Sequence, residues 1–142
     1  MSYWTSIMAV IEIDLMDLFL PKIWADEEKA MVTQEEIDSK AQEIFDNMPR
    51  ITGSEVDADT FLNHGSWEGM SVPKDCRAEN VEYVDYRFKY FITIWGALRD
   101  RFKADTEKEF KALMAYLREK VDATHQPGDE SSVGSIQSII GD

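Results

Sequence analysis

The side chains best suited to zinc binding or nucleophilic chemistry are His64, Cys76 and His125. They form no His-x-x-x-His or Cys-x-x-Cys pair, and a structural zinc needs four such ligands at short spacings. The single cysteine rules out an intramolecular disulfide and fits a reducing compartment. Glu55, Asp57 and Asp59 alternate as carboxylates of a calcium loop do. The central glycine and terminal bidentate glutamate of an EF-hand are not in place, so the trio reads as a solvated acidic edge. Ser54 and Ser66 follow glycines, but neither lies in a G-x-S-x-G elbow, and no glycine-rich phosphate loop is present. Arg99 and Arg101 flank Asp100 and have the chemistry of an anion site, although a strand-to-helix connection fixed by local ion pairs accounts for them better. These residues predict no catalytic site, no metal and no cofactor.

Charge is the stronger signal. The formal net charge is −13, with a pI near 4.5. Direct binding to nucleic acid or an anionic membrane is disfavoured, because both are polyanions. The charge is also uneven. From Glu12 to Asp59 there are 14 acidic and 4 basic residues, whereas from Thr60 onward the numbers are 14 and 11. A like-charged surface opposes folding of the monomer. A basic partner can offset that cost and is steered toward such a surface. The candidate partner-binding residues are Glu35, Asp38, Glu43 and Asp46 on the first clear helix, with Glu55, Asp57 and Asp59 after it. The competing explanation is a solvated face that keeps the protein in solution.

The elements that must carry these residues can be read from periodicity. Tyr3–Asp14 alternates with period two, with both faces apolar at first, as a central strand does. The connection through Pro21 to Val32 holds Leu18, Phe19, Leu20, Ile23 and Trp24, which predicts a packed segment containing a short helix. A helix is expected over Gln34–Met48, with Thr33 and Glu36 as a capping box and Pro49 as the stop. A strand follows near Thr60–His64, then a long loop over residues 65–80. The strongest strand spans Tyr86–Trp95, with Gly96 ending it. Phe91 and Trp95 lie on its face opposite Phe88 and Ile92, and they are the candidate self-association residues. A second helix is expected over Glu107–Val121, capped by Thr106 and Glu109.

This order predicts an α+β domain over residues 1–123. Its expected form is a small, mainly antiparallel sheet with two helices packed on one face, of the ferredoxin-like, split β-α-β type. Residues 124–142 are Gly/Ser-rich and expected as a flexible tail, with Ser135–Ile140 at most a marginal edge strand. The longest apolar stretch, Ile7–Leu20, is broken by Glu12, Asp14 and Asp17, so no membrane span is expected. The N-terminus has no basic region or cleavage site of a signal peptide, which points to the cytoplasm.

Three stretches carry a resemblance: Tyr3-Trp4-Thr5, Pro49-Arg50-Ile51-Thr52-Gly53-Ser54-Glu55 and Gly96-Ala97-Leu98-Arg99-Asp100-Arg101. Together they resemble a group of small proteins carried by phages and mobile elements, over roughly Tyr3–Val121. The acidic insertion Asp17–Met31 and the Gly/Ser-rich tail depart from that pattern. The resemblance implies no catalytic residue. With the charge and size, it implies by analogy an inhibitor of a host defence system, of anti-CRISPR type, acting in the bacterial cytoplasm on a basic nucleic-acid-binding protein. The alternative expectation is a phage assembly protein that forms a homodimer through Phe91 and Trp95.

Overall fold

A computed structural model of the chain describes residues 3–25, 32–65, 86–126 and 133–137. Its elements are β1 (Tyr3–Asp14), α1 (Met16–Ala25), α2 (Gln34–Asp46), β2 (Asp59–His64), β3 (Lys89–Arg99), α3 (Lys103–Lys120), β4 (Asp122–Gln126) and β5 (Val133–Gln137). A 3₁₀ turn at Tyr86–Phe88 leads into β3. The fold is α+β, with three helices and an antiparallel sheet in the order β2-β3-β1-β4. The strand β5 pairs with the opening half of β1, beyond the half that pairs with β4.

Period-two alternation decides the core. Ile7, Ala9, Ile11 and Ile13 of β1 share a face with Tyr90, Ile92, Ile94 and Leu98 of β3, and all are buried. Ile37, Ala41 and Ile44 of α2 and Leu113, Met114 and Leu117 of α3 pack into the same cluster. The Tyr116 hydroxyl donates to the Ile44 carbonyl at 2.9 Å, joining the two helices above the sheet. A fully buried isoleucine or leucine contributes roughly 1.5–3 kcal/mol, so this one layer supplies most of the driving force. The other face carries the even residues of β1 and the odd residues of β3, and among the described residues no helix covers it.

Several boundaries differ from the expected ones for identifiable reasons. The N-cap of α2 is as expected, with the Thr33 hydroxyl accepting from the Glu36 amide at 3.2 Å. The end is earlier, at Asp46, because the Asn47 side chain donates to the Glu43 carbonyl at 2.8 Å. The connection after β1 does form a helix, α1, although Pro21 removes one amide donor from its interior. Gly96 does not end β3, which runs on to Arg99. A Cβ there would sit 3.0 Å from the Ala58 Cα, so the glycine serves a close backbone approach.

The expected Thr106–Glu109 cap is corrected as well. The helix α3 begins at Lys103 behind Phe102, which gives no side-chain cap, and Thr106 is buried inside it. Glu109 instead accepts from the Thr52 amide at 3.0 Å and the Thr52 hydroxyl at 2.8 Å. The segment expected as a tail contributes β4 and β5, whose backbone groups pair with the free edge of β1. Most of the loop expected over residues 65–80, including Ser66, Trp67 and Cys76, lies outside the described residues.

The three stretches that carry the resemblance meet at one end of the sheet. Thr5, buried in β1, donates to the Arg101 carbonyl at 2.6 Å. The Ser54 amide donates to the Arg99 carbonyl at 3.1 Å, and the Glu55 carboxylate lies 3.3 Å from the Arg99 guanidinium. Ile51 is buried, and its carbonyl accepts from the Ala58 amide at 2.8 Å. Asp100 takes a left-handed backbone, φ 58°, where β3 turns toward α3, a conformation Asp tolerates better than most residues. Positions 45 residues apart, Ser54 and Arg99, and 96 residues apart, Thr5 and Arg101, are thus tied into one junction, the first pair by a backbone hydrogen bond and the second through the Thr5 hydroxyl.

Candidate functional site

The seven acidic candidates do not form one surface. Glu35, Asp38, Glu43 and Asp46 lie on exposed positions of α2, on the helix-covered side of the sheet. Asp59 pairs with Trp95 across β2 and β3 and so belongs to the opposite, uncovered face. Glu55 and Asp57 lie in the loop between the two. Local partners engage several of them: Glu43 with Lys40 at 3.6 Å, Asp57 with Arg50 at 3.6 Å, Glu55 with Arg99, and Asp46 with the Gln42 amide at 2.8 Å. Exposed pairs of this kind are worth only about 0–1 kcal/mol. They leave the field of α2 negative.

Asp38 has a different role. Its carboxylate accepts from the Tyr90 hydroxyl in a short hydrogen bond and from Gln34 at 3.1 Å. Burial, then the hydrogen bond to Asp38 and the Asp38 charge, raises the Tyr90 phenol well above its ordinary value. The His64 ring packs 4.9 Å from the Tyr90 ring, and its Nε2 lies 3.3 Å from the Arg87 carbonyl and 3.4 Å from Gln34 Nε2. This network locks the start of α2 onto the β2–β3 hairpin. Only its members' types were visible in the sequence, because Gln34 and Tyr90 are 56 residues apart. Tyr90 and Arg99 lie nine residues apart on β3, roughly 30 Å at strand rise. His64 beside the former and Ser54 beside the latter therefore stand at opposite ends of the sheet.

Arg99 and Arg101, the anion candidates, face acidic and carbonyl groups. Arg99 lies 3.8 Å from Asp100 besides its pair with Glu55, and Arg101 donates to the Asp100 carbonyl at 3.3 Å. His125 stacks edge-on against Phe110 at 5.2 Å. Among the described residues, no three His, Cys, Asp or Glu side chains are grouped to hold a metal ion.

The sequence reading missed a charged cluster where β1 meets β4. Lys89 lies 3.4 Å from both Glu12 and Asp14, beside an open hollow of about 350 Å³ that Asp122 and Thr124 also line. Burial lowers the Lys89 ammonium, but the charges of Glu12 and Asp14 outweigh it, and the net shift is upward. Desolvation, then the charges of Asp17 and Asp14, raise the Asp122 carboxyl, which also shares a hydrogen bond with Asp17. Asp14 and Asp122 are direct cross-strand partners. Like charges in that position oppose pairing.

A pH dependence follows. Because the folded value of Asp122 lies above the unfolded one, its contribution favours folding in acid and is lost as pH rises through the folded value. Asp122→Asn is therefore expected to raise Tm at neutral pH and to leave it nearly unchanged below about pH 4, where carboxylates are protonated. Thermal scans of both proteins from acid to neutral pH check this. Equal Tm differences at every pH would contradict it.

Phe91 and Trp95 lie on the uncovered face, opposite the buried Ile92 and Ile94. Trp95 is 57% exposed, and its neighbours Met8 and Phe61 are 66% and 52% exposed. Of the exposed large apolar side chains, these three share one face of the sheet. No protein-family model, curated protein or solved structure matches the chain.

Proposed function

We propose that this chain is a non-catalytic binding protein that occupies the basic surface of a nucleic-acid-binding protein. It would be an inhibitor of a host defence system, of anti-CRISPR type, carried by a phage or mobile element and acting in the bacterial cytoplasm. The observation that carries the reading is the acidic exposed side of α2, where Glu35, Glu43 and Asp46 are set against Lys40 alone. A basic groove built for phosphates meets such a helix with complementary charge. No cofactor enters the reading.

The reading includes a ferredoxin-like scaffold. The order β2-β3-β1-β4, all antiparallel, with helices between β1 and β2 and between β3 and β4, supports that assignment.

The test is capture of partners from nuclease-treated bacterial lysate on the immobilised protein, with the Glu35→Lys/Asp46→Lys double variant alongside. The expected result is a nucleic-acid-binding protein retained at about 0.1 M salt and released near 1 M, where the Debye length falls to ~3 Å. The variant should recover at least about tenfold less of it. Undiminished recovery by the variant would remove α2 from the interface.

A second reading has one observation in its favour: the exposure of Trp95 beside Phe91 suits a homodimer of an assembly protein. Sedimentation at rising concentration separates the two, since a monomer throughout would exclude that dimer.

A further inference from the structure

The uncovered sheet face has a regular layout. In successive rows across β2, β3 and β1 it presents Asp59, Trp95 and Met8, then Phe61, Thr93 and Val10, then Asn63, Phe91 and Glu12. The apolar members occupy neighbouring rows and columns of this lattice, where strands are ~4.8 Å apart and same-face residues ~7 Å apart. They form one patch. Asp59 borders it on one side, and Glu12 and Asp14 border it on the other, with Lys89 neutralising part of that charge.

We infer that this face is a docking surface for a protein whose contact patch has an apolar centre and a rim of lysine or arginine. The inference rests on the reading above that the chain binds a basic partner, and it names a second surface for that contact. Charge complementarity selects the occupant. A second copy would bring Asp59, Glu12 and Asp14 against their own likenesses in a chain of net charge −13, and like-charge juxtaposition across an interface is strongly unfavourable. A single-stranded nucleic acid would find aromatic rings to stack on, but its phosphates would meet the same carboxylates. A basic protein gains on both counts. Trp95 is the natural centre, because an interfacial tryptophan gives large apolar contact and accepts a cation over its ring.

The test is fluorescence anisotropy with three labelled probes: an amphipathic Leu/Lys helical peptide, its Leu/Glu counterpart and an oligothymidine. The proteins are the full chain, Phe61→Ser/Trp95→Ser, Met8→Ser and Glu35→Lys/Asp46→Lys. All five positions on the face and helix that are replaced are solvent-exposed, and thermal scans confirm that each variant is folded.

The expected result is binding of the Leu/Lys peptide alone, weakened at least about tenfold by Phe61→Ser/Trp95→Ser and in the same direction by Met8→Ser. The helix variant should leave most of that affinity in place. Binding lost in the helix variant but kept in the face variants would overturn this inference while leaving the basic-partner reading intact. Binding of the Leu/Glu peptide or of the oligothymidine would overturn it too. So would a concentration-dependent dimer of the free chain that Phe61→Ser/Trp95→Ser abolishes, which would assign the face to a second copy.

Discussion

Phe88→Ala is expected to destabilise the protein by roughly 3–5 kcal/mol, the usual range for deleting a buried phenylalanine. Phe88 is fully buried and joins three elements where the sheet meets α1. Its carbonyl accepts from the Leu15 amide at 2.9 Å, its ring lies 5.8 Å from Phe19, and the Arg87 guanidinium sits 5.3 Å from its centroid. The truncation opens a cavity that the rigid β1–β3 ladder cannot collapse to fill. Urea denaturation should show a lower midpoint with an unchanged slope. A loss below about 1 kcal/mol would mean that the cavity closes and that α1 is not held through this ring.

Gly53→Ala is expected to cost roughly 2–3 kcal/mol, at the upper end for overpacking. A Cβ at position 53 would fall inside contact distance of the Val56 carbonyl oxygen and lie 3.4 Å from Leu98. Leu98 is fully buried, and the backbone on either side of Val56 is held. The loop between α2 and β2 is held by Thr52 to Glu109, by Ser54 to Arg99 and by Ala58 to Ile51. Relieving the clash therefore means breaking at least one of those bonds. Thermal denaturation measures the loss, and Ser54→Ala in parallel serves as the reference, since Ser54 is exposed and contributes only its backbone amide to these bonds. A Tm for Gly53→Ala equal to that of the reference would show that the loop relaxes freely.

The two effects also mark what was legible in the sequence. The strand β1 and the start of α2 could be read because their signals are local: alternation of isoleucines in one case, Thr33 with Glu36 in the other. The assignment of Phe91 and Trp95 to the face opposite Ile92 followed from period two alone. Misreadings came where a residue's role depends on a distant segment. Gly96 looked like a strand end, but it makes room for Ala58. Glu109 looked like the partner of Thr106, but it holds Thr52, 57 residues away. The strands β4 and β5 were hidden because a polar sequence can pair along an edge whose hydrogen bonds are all main-chain.

The candidate site was legible only in part, for a related reason. Composition shows that α2 is acidic, but it cannot show that Asp38 is committed to Tyr90 or that Asp59 faces the other side of the sheet. Nor can it show that Met8 and Phe61 join Trp95, since three strands contribute one residue each. A site assembled across a sheet has no contiguous signature. The cluster of Lys89 with Glu12, Asp14 and Asp122 was missed on the same grounds.

The most direct test of the central claim uses the captured nucleic-acid-binding protein with its own labelled nucleic acid. Anisotropy is followed as this chain is added. If the chain occupies the basic surface, the nucleic acid is released as a stoichiometric complex of the two proteins forms, and added salt weakens that complex. If the nucleic acid stays bound while the chain joins it in a ternary complex, the chain does not occupy that surface, and the proposed mode of inhibition is wrong.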